Sequence, residues 1–311
     1  MNVRKQTDGP ARSLMRSVGR AMAPFNSLGV IRRINGTERL ETLVWEYSHP
    51  LWPEASDGFS ALFVSDIHYG KLLSRGQFDR MTEAMAALES DCVLLGGDFG
   101  EDPEDSPNCI GILAPILRDR RVIAVPGNHD IRGGIYRETL ETAVKNAGWE
   151  MPVNCCVPLT DGAVLAGLDD FREGDPDPEA VRREVQGTPF VLLLCHNPDA
   201  LADIASPFYH LALCGHTHGG QVTLFGRPIF SSSRYGGRYL TGWKRENGAD
   251  ILISNGIGTS LLPVRLGATP QMIKIVFRRG PEGRKLLESA LSGCGGRKQK
   301  SGGKTHDRRR G

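Results

Sequence analysis

The amino-acid sequence predicts a layered α/β fold, and three observations support that prediction. Between about residues 59 and 278, short apolar runs end repeatedly in polar, Gly-rich residues, which is typical of strands buried on both faces. Segments with helical periodicity separate several of these runs, and strands that alternate with helices indicate sheets covered by helices. Apolar runs in the later part of the chain follow one another without clear helices, so we expect antiparallel pairs added to one or two central sheets.

Five apolar runs are predicted to form the central strands, because each is too short for a helix and is bounded by turn residues. These runs are Ala61–Ser65, Cys92–Leu95, Val122–Val125, Phe190–Cys195 and Leu211–Cys214. The later part of the chain adds further predicted strands. They are Ala163–Leu168, Gln221–Leu224, Ile251–Ser254 and Met272–Phe277.

Three segments have the apolar periodicity of helices that pack on a sheet. They are the stripe of Phe78, Met81, Met85 and Leu88, residues 134–147, and residues 178–186. Residues 12–25 combine an apolar stripe with arginines at positions 12, 16 and 20, which is the pattern of a short basic amphipathic helix. Such a helix either lies on an anionic membrane surface or packs its stripe on the folded body, and the sequence leaves both open.

The two ends of the chain are basic and the body between them is acidic. Residues 1–40 and residues 297–311 each carry a net charge of +6, so the total of +2 leaves −10 for residues 41–296. We divide the chain into a basic N-terminal segment (1–57), a folded domain (58–280) and a C-terminal extension (281–311) that ends in a disordered basic tail. An acidic body argues against nucleic acid as the partner, because nucleic-acid enzymes show a positive field on the folded body.

The cysteine and hydropathy patterns indicate a reducing compartment. Seven cysteines are scattered without a CxxC pair, which does not resemble a disulfide framework or a zinc ribbon. The longest apolar runs fall well short of the ~20 residues that a membrane helix needs. We therefore expect a cytoplasmic protein whose basic segments can hold it at the inner face of an anionic membrane.

Residue types that bind metals follow the five predicted central strands, where ligands of α/β sheets collect. The motifs are Asp66-x-His68, Gly97-Asp98, Gly127-Asn128-His129-Asp130, His196-Asn197 and Gly215-His216-Thr217-His218. Each motif alone has an ordinary structural explanation, such as a turn aspartate or a helix cap. All five in this order indicate one site. The other three histidines, His49, His210 and His306, have no such context and receive no role.

This set of side chains suits two divalent metal ions. Two nearby cations repel each other and need a carboxylate between them, which Asp98 can provide. The predicted remaining ligands are Asp66, His68 and His218 for one ion and Asn128, His196 and His216 for the other. Imidazole and oxygen ligands without thiolate favour Mn, Fe or Zn, while Cys195 and Cys214 lie inside buried runs, where cysteine packs as a small hydrophobe.

The five motifs resemble the signature of the calcineurin-like metallophosphoesterases, over roughly residues 58–278. Further stretches within the domain resemble a bacterial branch of membrane-associated phosphodiesterases that includes UDP-diacylglucosamine pyrophosphatases; they are residues 196–199, residues 214–221, and residues 256–260 followed by residues 262–265. The resemblance implies a four-layer αββα sandwich of two mixed sheets with a dinuclear site. Many members of that branch begin with a membrane helix, whereas this chain has the amphipathic stretch.

The resemblance also implies the reaction and the roles of further residues. It implies that a metal-bound hydroxide hydrolyses a phosphoester and that His129 meets the scissile phosphate without being a ligand. We expect Asp130 to hold His129 in orientation, and Arg265 is a candidate phosphate contact. The prediction is a phosphodiesterase or pyrophosphatase that acts on a lipid-linked or nucleotide-linked substrate. A nuclease with the same dimetal site is the alternative.

Overall fold

The computed structural model describes residues 39–292, apart from residues 225–226 and 230–231, together with Ser17, Val18, Ala21 and Thr37. Two six-stranded mixed sheets form the centre of this part of the chain. Helices cover the outer face of each sheet, so the predicted four-layer αββα sandwich is confirmed.

The first sheet combines parallel and antiparallel pairs. Its strands are β1 (Leu40–His49), β2 (Ser60–Val64), β3 (Cys92–Leu95), β4 (Arg121–Ala124), β13 (Gln271–Arg279) and β14 (Gly283–Ser292). They lie in the order β14-β1-β13-β2-β3-β4, in which β2, β3 and β4 are parallel and β13 is antiparallel to β2. Strands β1 and β14 lie outside residues 58–280 in sequence, yet they pair with this sheet through β13.

The second sheet has a parallel centre and two antiparallel edges. Its strands are β5 (Cys155–Thr160), β6 (Ala163–Gly167), β7 (Phe190–Leu194), β8 (Leu211–Cys214), β11 (Gly242–Glu246) and β12 (Ala249–Ile253). They lie in the order β11-β12-β8-β7-β6-β5, in which β6, β7, β8 and β12 are parallel. The carboxyl ends of β7 and β8 therefore point the same way, as do those of β2, β3 and β4 in the first sheet.

The predicted strand Gln221–Leu224 is present only in its second half, as one of two short strands that pair antiparallel with each other. The two strands are β9 (Thr223–Leu224) and β10 (Arg227–Pro228). The backbone of Gly220 and Gln221 has φ angles of 80° and 51°, which lie outside the range of an extended strand. The observed strand therefore begins at Thr223, two residues after the predicted start at Gln221.

Between residues 39 and 292, four helices cover the sheets. They are α1 (Arg75–Ala87), α2 (Ser106–Leu117), α3 (Arg137–Asn146) and α4 (Pro178–Glu184). The periodicity of the sequence predicts three of them and misses α2, because Pro107 and Pro115 interrupt its pattern. The first proline lies in the opening turn, where no backbone N–H is needed, and Cys109, Ile110 and Leu113 pack the helix on the sheet.

Successive side chains along each buried strand point to opposite faces and pack into different hydrophobic cores. In β2, Leu62 and Val64 join the cluster beneath α1–α3, whereas Ala61 and Phe63 join the cluster between the two sheets. A third cluster lies between α4 and the outer face of the second sheet. Because both faces of these strands are covered, they read as continuous apolar runs rather than as alternating ones.

Most of the two basic terminal segments lies outside the described residues. Within residues 12–25, Ser17, Val18 and Ala21 are helical and exposed. The amphipathic helix and the basic tail therefore stay predictions. Among the described residues, every helix is too short or too polar to cross a bilayer.

Candidate metal centre

All five strand-exit motifs meet at one place, where loops from both sheets are joined by hydrogen bonds. The backbone N–H of His216, after β8, donates to both carboxylate oxygens of Asp66, after β2, at 2.9 and 3.0 Å. His196, after β7, donates from Nδ1 to the carbonyl oxygen of Gly96, at the end of β3, at 2.8 Å. These contacts fix the two halves of the site against each other.

The carboxylates and imidazoles predicted as ligands form two groups that meet at Asp98. One group is Asp66, His68 and His218, the other is Asp98, His196 and His216, and within each group the ligand atoms lie within 4.8 Å of one another. Oδ2 of Asp98 lies 3.4 Å from Nε2 of His68 and 3.2 Å from Nε2 of His196. One carboxylate oxygen therefore stands between an imidazole of each group, where a bridging ligand is needed.

The residues present fit divalent cations. Nε2 of His68 faces Nε2 of His218 at 3.1 Å, and Nδ1 of His216 faces Nε2 of His196 at 3.2 Å. Oδ1 of Asn128 is buried and has no hydrogen-bond partner among the described residues, an arrangement that is costly unless a further partner binds there. Converging imidazole nitrogens, carboxylates and an amide oxygen, with no thiolate, are a ligand set for first-row divalent metals.

Burial keeps most of these imidazoles neutral, as metal ligands must be. Burial lowers the pKa of His68 to about 4 and holds the pKa of His216 and His218 well below the usual value. For His196, burial opposes protonation, but the adjacent Asp98 carboxylate raises the pKa well above the usual value. A cation that binds Nε2 of His196 must therefore replace a proton.

Two glycines make room for the carboxylates. A Cβ atom on Gly215 would lie 2.2 Å from Oδ2 of Asp66, and one on Gly127 would lie 2.2 Å from Oδ1 of Asp98. Several ligand residues themselves adopt left-handed backbone conformations, which cost about 1 kcal/mol or more each for a residue other than glycine. They are Asp66, His68, Asp98, His216 and His218. The concentration of this strain at one place is typical of a functional site.

His129 lies beside the first group, but Asp130 does not orient it. Nδ1 of His129 donates to the backbone carbonyl oxygen of Glu101 at 2.6 Å. The Asp130 carboxylate instead accepts hydrogen bonds from the backbone N–H groups of Asp98, Phe99 and Gly127 at 2.7 to 2.8 Å. The prediction that Asp130 holds His129 is therefore wrong, because the buried carboxylate of Asp130 accepts hydrogen bonds from the loop that carries Asp98.

Arg265 lies behind the site rather than in it. The side chain is fully buried, and its N–H groups point at the carbonyl oxygens of Gly258, Asn255 and Ala268. Its guanidinium also reaches the carbonyl oxygen and Nδ1 of His218, at 3.3 and 3.1 Å. This placement contradicts the predicted phosphate contact, because the donors are used within the protein, and makes Arg265 a positioning residue for His218.

Sequence reasoning missed three residues that shape the site. Glu101 acts through its carbonyl oxygen, and Ser106 donates to Asp130 at 2.7 Å, so neither has a side-chain signature in the sequence. Asp170 is different, because it is the second residue after the predicted strand Ala163–Leu168. Its carboxylate is fully buried and raises the pKa of His196 together with Asp98 and Asp66. Its position at a strand exit was the available signal.

Comparison with known proteins matches the part of the chain that carries these motifs. The family model described as calcineurin-like phosphoesterase matches residues 59–220. The chain is 28% identical over 242 residues to the uncharacterized metallophosphoesterase YkuE of Bacillus subtilis, covering 75% of this chain and 84% of that protein. It is 32% identical over 226 residues to the uncharacterized protein YpbG of the same organism, covering 71% and 81%. It is 28% identical over 223 residues to the phosphodiesterase YaeI of Escherichia coli, covering 69% and 80%.

Proposed function

The chain belongs to the calcineurin-like phosphoesterase family and is a phosphoester hydrolase, and from that premise we propose that it is a dimetal phosphodiesterase or pyrophosphatase. One observation carries the proposal: Oδ2 of Asp98 lies within 3.4 Å of an imidazole nitrogen of each ligand group. The name of the relative YaeI supports a phosphodiester as the bond that is cleaved.

Two divalent ions, which we propose to be Mn, Fe or Zn, would lower the pKa of a bound water and polarise the phosphate. The residues that would hold them are Asp66, His68 and His218 for one ion, Asn128, His196 and His216 for the other, and Asp98 between them. Asp130 contributes by holding the backbone N–H groups on both sides of the Asp98 side chain, which fixes the carboxylate between the two groups.

His129 is the residue that would handle a proton at the phosphate. A carbonyl oxygen can only accept, so the hydrogen bond to Glu101 fixes a proton on Nδ1 and leaves Nε2 with a lone pair. Burial lowers the pKa of His129 well below its usual value, so the resting ring is neutral. Nε2 can take up a proton released by the attacking water, stabilise charge on the phosphate as an imidazolium, and pass that proton to the leaving oxygen.

The substrate proposal is a lipid-linked or nucleotide-linked phosphoester, cleaved at the inner face of the membrane. It is supported by the resemblance of residues 196–199, 214–221, 256–260 and 262–265 to membrane-associated phosphodiesterases and by the basic amphipathic pattern of residues 12–25. No observation on the part of the chain that the structure describes favours the nuclease alternative. Residues 41–296 carry a net charge of −10, so this part of the protein does not attract the phosphate backbone of nucleic acids in general.

A metal-by-substrate panel tests the function. The full chain, loaded with Mn, Fe or Zn, is assayed on bis(p-nitrophenyl) phosphate, p-nitrophenyl phosphate, a nucleoside-diphosphate lipid and single-stranded DNA. We expect hydrolysis of the diester and of the lipid, loss of both activities in Asp98→Asn, and wild-type activity in the matched control Asp119→Asn, whose side chain is 88% exposed. Inactivity on every diester with every metal contradicts the proposal, and preferential, salt-sensitive cleavage of DNA would establish the nuclease alternative.

Membrane contact has its own test. Replacing Arg12, Arg16 and Arg20 by Glu in the full chain removes three basic residues, each of which contributes about 1 kcal/mol near an anionic surface. We expect the wild type to co-float with anionic vesicles at low salt, and the variant to float less and to cleave the lipid substrate more slowly. Hydrolysis of bis(p-nitrophenyl) phosphate serves as the control and should not change. Equal flotation of the two proteins contradicts this part of the proposal.

A further inference from the structure

The two central sheets have four edge strands, and three of these edges are short or covered. Strand β4 has four residues, and the backbone of Glu150 closes its outer side with hydrogen bonds to Ala124 and Val122 at 2.8 and 3.0 Å. Strand β5 contains Pro158, whose carbonyl oxygen accepts a hydrogen bond from Arg121. Strand β11 has five residues. Short strands, proline and covered backbone are ways in which proteins keep sheet edges from pairing with other chains.

The fourth edge, strand β14, is long and open. Its ten residues, Gly283–Ser292, pair with β1 on one side, and β14 ends the order of strands on the other side. In the part of the chain that the structure describes, the backbone of β14 forms no hydrogen bond to a residue outside β1. The N–H and C=O groups on its outer side are therefore unpaired along about 33 Å of strand.

The side chains of β14 are also open to solvent. Eight of its ten residues are exposed. Among them, Leu286, Leu287 and Leu291 are 40%, 46% and 54% exposed, although burial of leucine is favourable. A long edge strand with exposed apolar side chains is a template for another strand. This surface therefore fits a partner that adds an extended segment to the sheet.

The sequence of β14 is complementary to itself. Lys285 and Glu288 flank the pair formed by Leu286 and Leu287. When two copies of the strand align antiparallel about an axis between the two leucines, Lys285 of each copy lies opposite Glu288 of the other, and the leucines lie opposite each other. Opposite charges in such cross-strand positions stabilise a sheet. A shift by one residue places Lys285 opposite Leu287 or Ser289 and loses both ion pairs.

A bulge in β14 places the two charged side chains on one face of the sheet. The ladder between β1 and β14 skips Leu287, which is the extra residue of the bulge. On either side of it, Lys285 pairs with Glu46 and Glu288 pairs with Val44. Residues two apart on a strand share a face, and so do residues that pair directly. Lys285 and Glu288 therefore lie on one face, as partners across a two-fold axis must, whereas three residues of regular strand would separate them onto opposite faces.

We propose that two copies of this chain form a dimer through antiparallel pairing of their β14 strands. The first sheets of the two copies then join into one sheet of twelve strands. Main-chain hydrogen bonds supply affinity, and the two ion pairs between Lys285 and Glu288 fix the alignment. A second copy is the partner because the complementary charges belong to the strand itself, and a two-fold contact uses both open edges and closes at the dimer. The inference does not depend on the function proposed for the metal centre.

Sedimentation velocity of the full chain tests for the dimer. One strand pair is a small interface, so we expect a reversible dimer with a dissociation constant on the order of 10 µM. The sedimentation coefficient of the wild type should therefore rise with protein concentration across that value. A wild type that stays monomeric to roughly 1 mM would mean that the charges and the bulge of β14 protect the edge from pairing, and it would overturn the proposal.

Charge reversal tests the alignment of the two strands. Lys285→Glu places glutamates opposite each other on both sides of the leucines, and Glu288→Lys places lysines there. We expect each variant to raise the dissociation constant of the dimer at least about 10-fold. An equimolar mixture of the two variants should form a heterodimer with nearly wild-type affinity, because every glutamate then faces a lysine. Arg118→Glu and Asp119→Lys are the matched controls, because these side chains are 77% and 88% exposed and lie outside β14.

Hydrogen exchange locates the interface in the wild type without any substitution. At protein concentrations above the dissociation constant, the outward-facing amides of β14 should exchange more slowly than they do in dilute solution. In Lys285→Glu they should exchange rapidly at both concentrations. Because the comparison within the wild type needs no variant, it tests the proposal even if a charge reversal prevents folding.

Three further outcomes would overturn the proposal. The first is a dimer that both variants retain or a mixture of the variants that gains no affinity. The second is slower exchange confined to another surface, which would place the interface elsewhere. The third is protection of the β14 amides already in dilute solution, which would mean that the chain covers its own edge.

Discussion

The metal centre and the His49–His210 pair bury imidazoles in two different ways. In the pair, the two rings lie 4.9 Å apart and pack against Phe190 between the sheets. Nδ1 of His49 accepts the N–H of Leu51 at 3.2 Å, and Nδ1 of His210 accepts the N–H of Val191 at 3.0 Å. In the neutral rings the proton is therefore on Nε2, and neither nitrogen has a lone pair free for a cation.

At two rings beside Asp98 the hydrogen bonds run in the opposite direction. Nδ1 of His196 donates to a carbonyl oxygen, as does Nδ1 of His129, so Nε2 of His129 keeps a lone pair and Nε2 of His196 has one once a cation replaces its proton. His218 differs, because its Nδ1 lies 3.1 Å from Nη2 of Arg265, which can only donate. A buried carboxylate, Asp98, also stands between the rings, whereas the nearest carboxylate to His49 is the exposed Glu282 at 3.6 Å. A buried central carboxylate, rather than the number of histidines, distinguishes the proposed metal site from the packed histidines.

The largest expected effect comes from removing that central carboxylate. Asp98→Asn keeps the size of the side chain but loses the charge that separates two cations, so we expect loss of bound metal and a fall in diester hydrolysis of roughly 10³-fold or more. Elemental analysis and the rate on bis(p-nitrophenyl) phosphate check this. Full metal content in the variant would show that Asp98 is not a ligand.

The second prediction separates a proton-handling histidine from the ligand histidines. His129→Ala should retain both metal equivalents and lower turnover by roughly 10²- to 10⁴-fold, because only the group that serves the phosphate is lost. His129 lies near His68 and Asp98, so the metal content is the decisive measurement. Loss of one equivalent would mean that His129 is a ligand.

The third prediction concerns the support behind the ligands. Arg265→Lys keeps a cation but cannot reach all the carbonyl oxygens and His218 at once. We expect roughly 10- to 100-fold weaker metal affinity, the usual result of losing a residue that orients a ligand. A chelator titration followed by residual activity measures this affinity, and an unchanged affinity would return Arg265 to a purely structural role.

The smallest effect is expected at the packed histidines. Burial lowers the pKa of His210 from 6.5 to about 4, so the unfolded chain takes up this proton at a higher pH than the folded one. Stability should therefore fall as the pH drops from about 6.5 to about 4, by about 1 kcal/mol after allowing for the partial exposure of the ring. His210→Asn, whose amide oxygen can still accept from Val191, should show a shallower fall in urea unfolding experiments.

The metal content of His210→Asn is the control that links this prediction to the comparison. It should equal that of the wild type, because the pair contributes no ligand. Lower metal content in this variant would contradict the division between the two groups of histidines.

The sequence predicts the parts of the fold and site that local pattern determines. Strands β2, β3, β4, β7 and β8 are buried on both faces, so each appears as an apolar run. Strand β14 is mostly exposed and has no such pattern, and α2 is hidden by its prolines. Both depend on tertiary packing that periodicity does not contain.

The same distinction applies within the site. The proposed ligands belong to short motifs at strand exits and are predictable, whereas Glu101 acts through its backbone and Arg265 through contacts distant in sequence. Residues of the proposed ligand set were therefore easier to predict than residues that orient them.

The central claim is that Asp98 joins two metal ions in one centre, and electron paramagnetic resonance of the Mn(II)-loaded full chain tests it most directly. Two Mn(II) ions that share a carboxylate oxygen are magnetically coupled. We predict two equivalents of Mn by elemental analysis and an exchange-coupled spectrum, which Asp98→Asn abolishes and Asp119→Asn preserves. A wild-type spectrum of isolated Mn(II), at either one or two equivalents, would contradict the account.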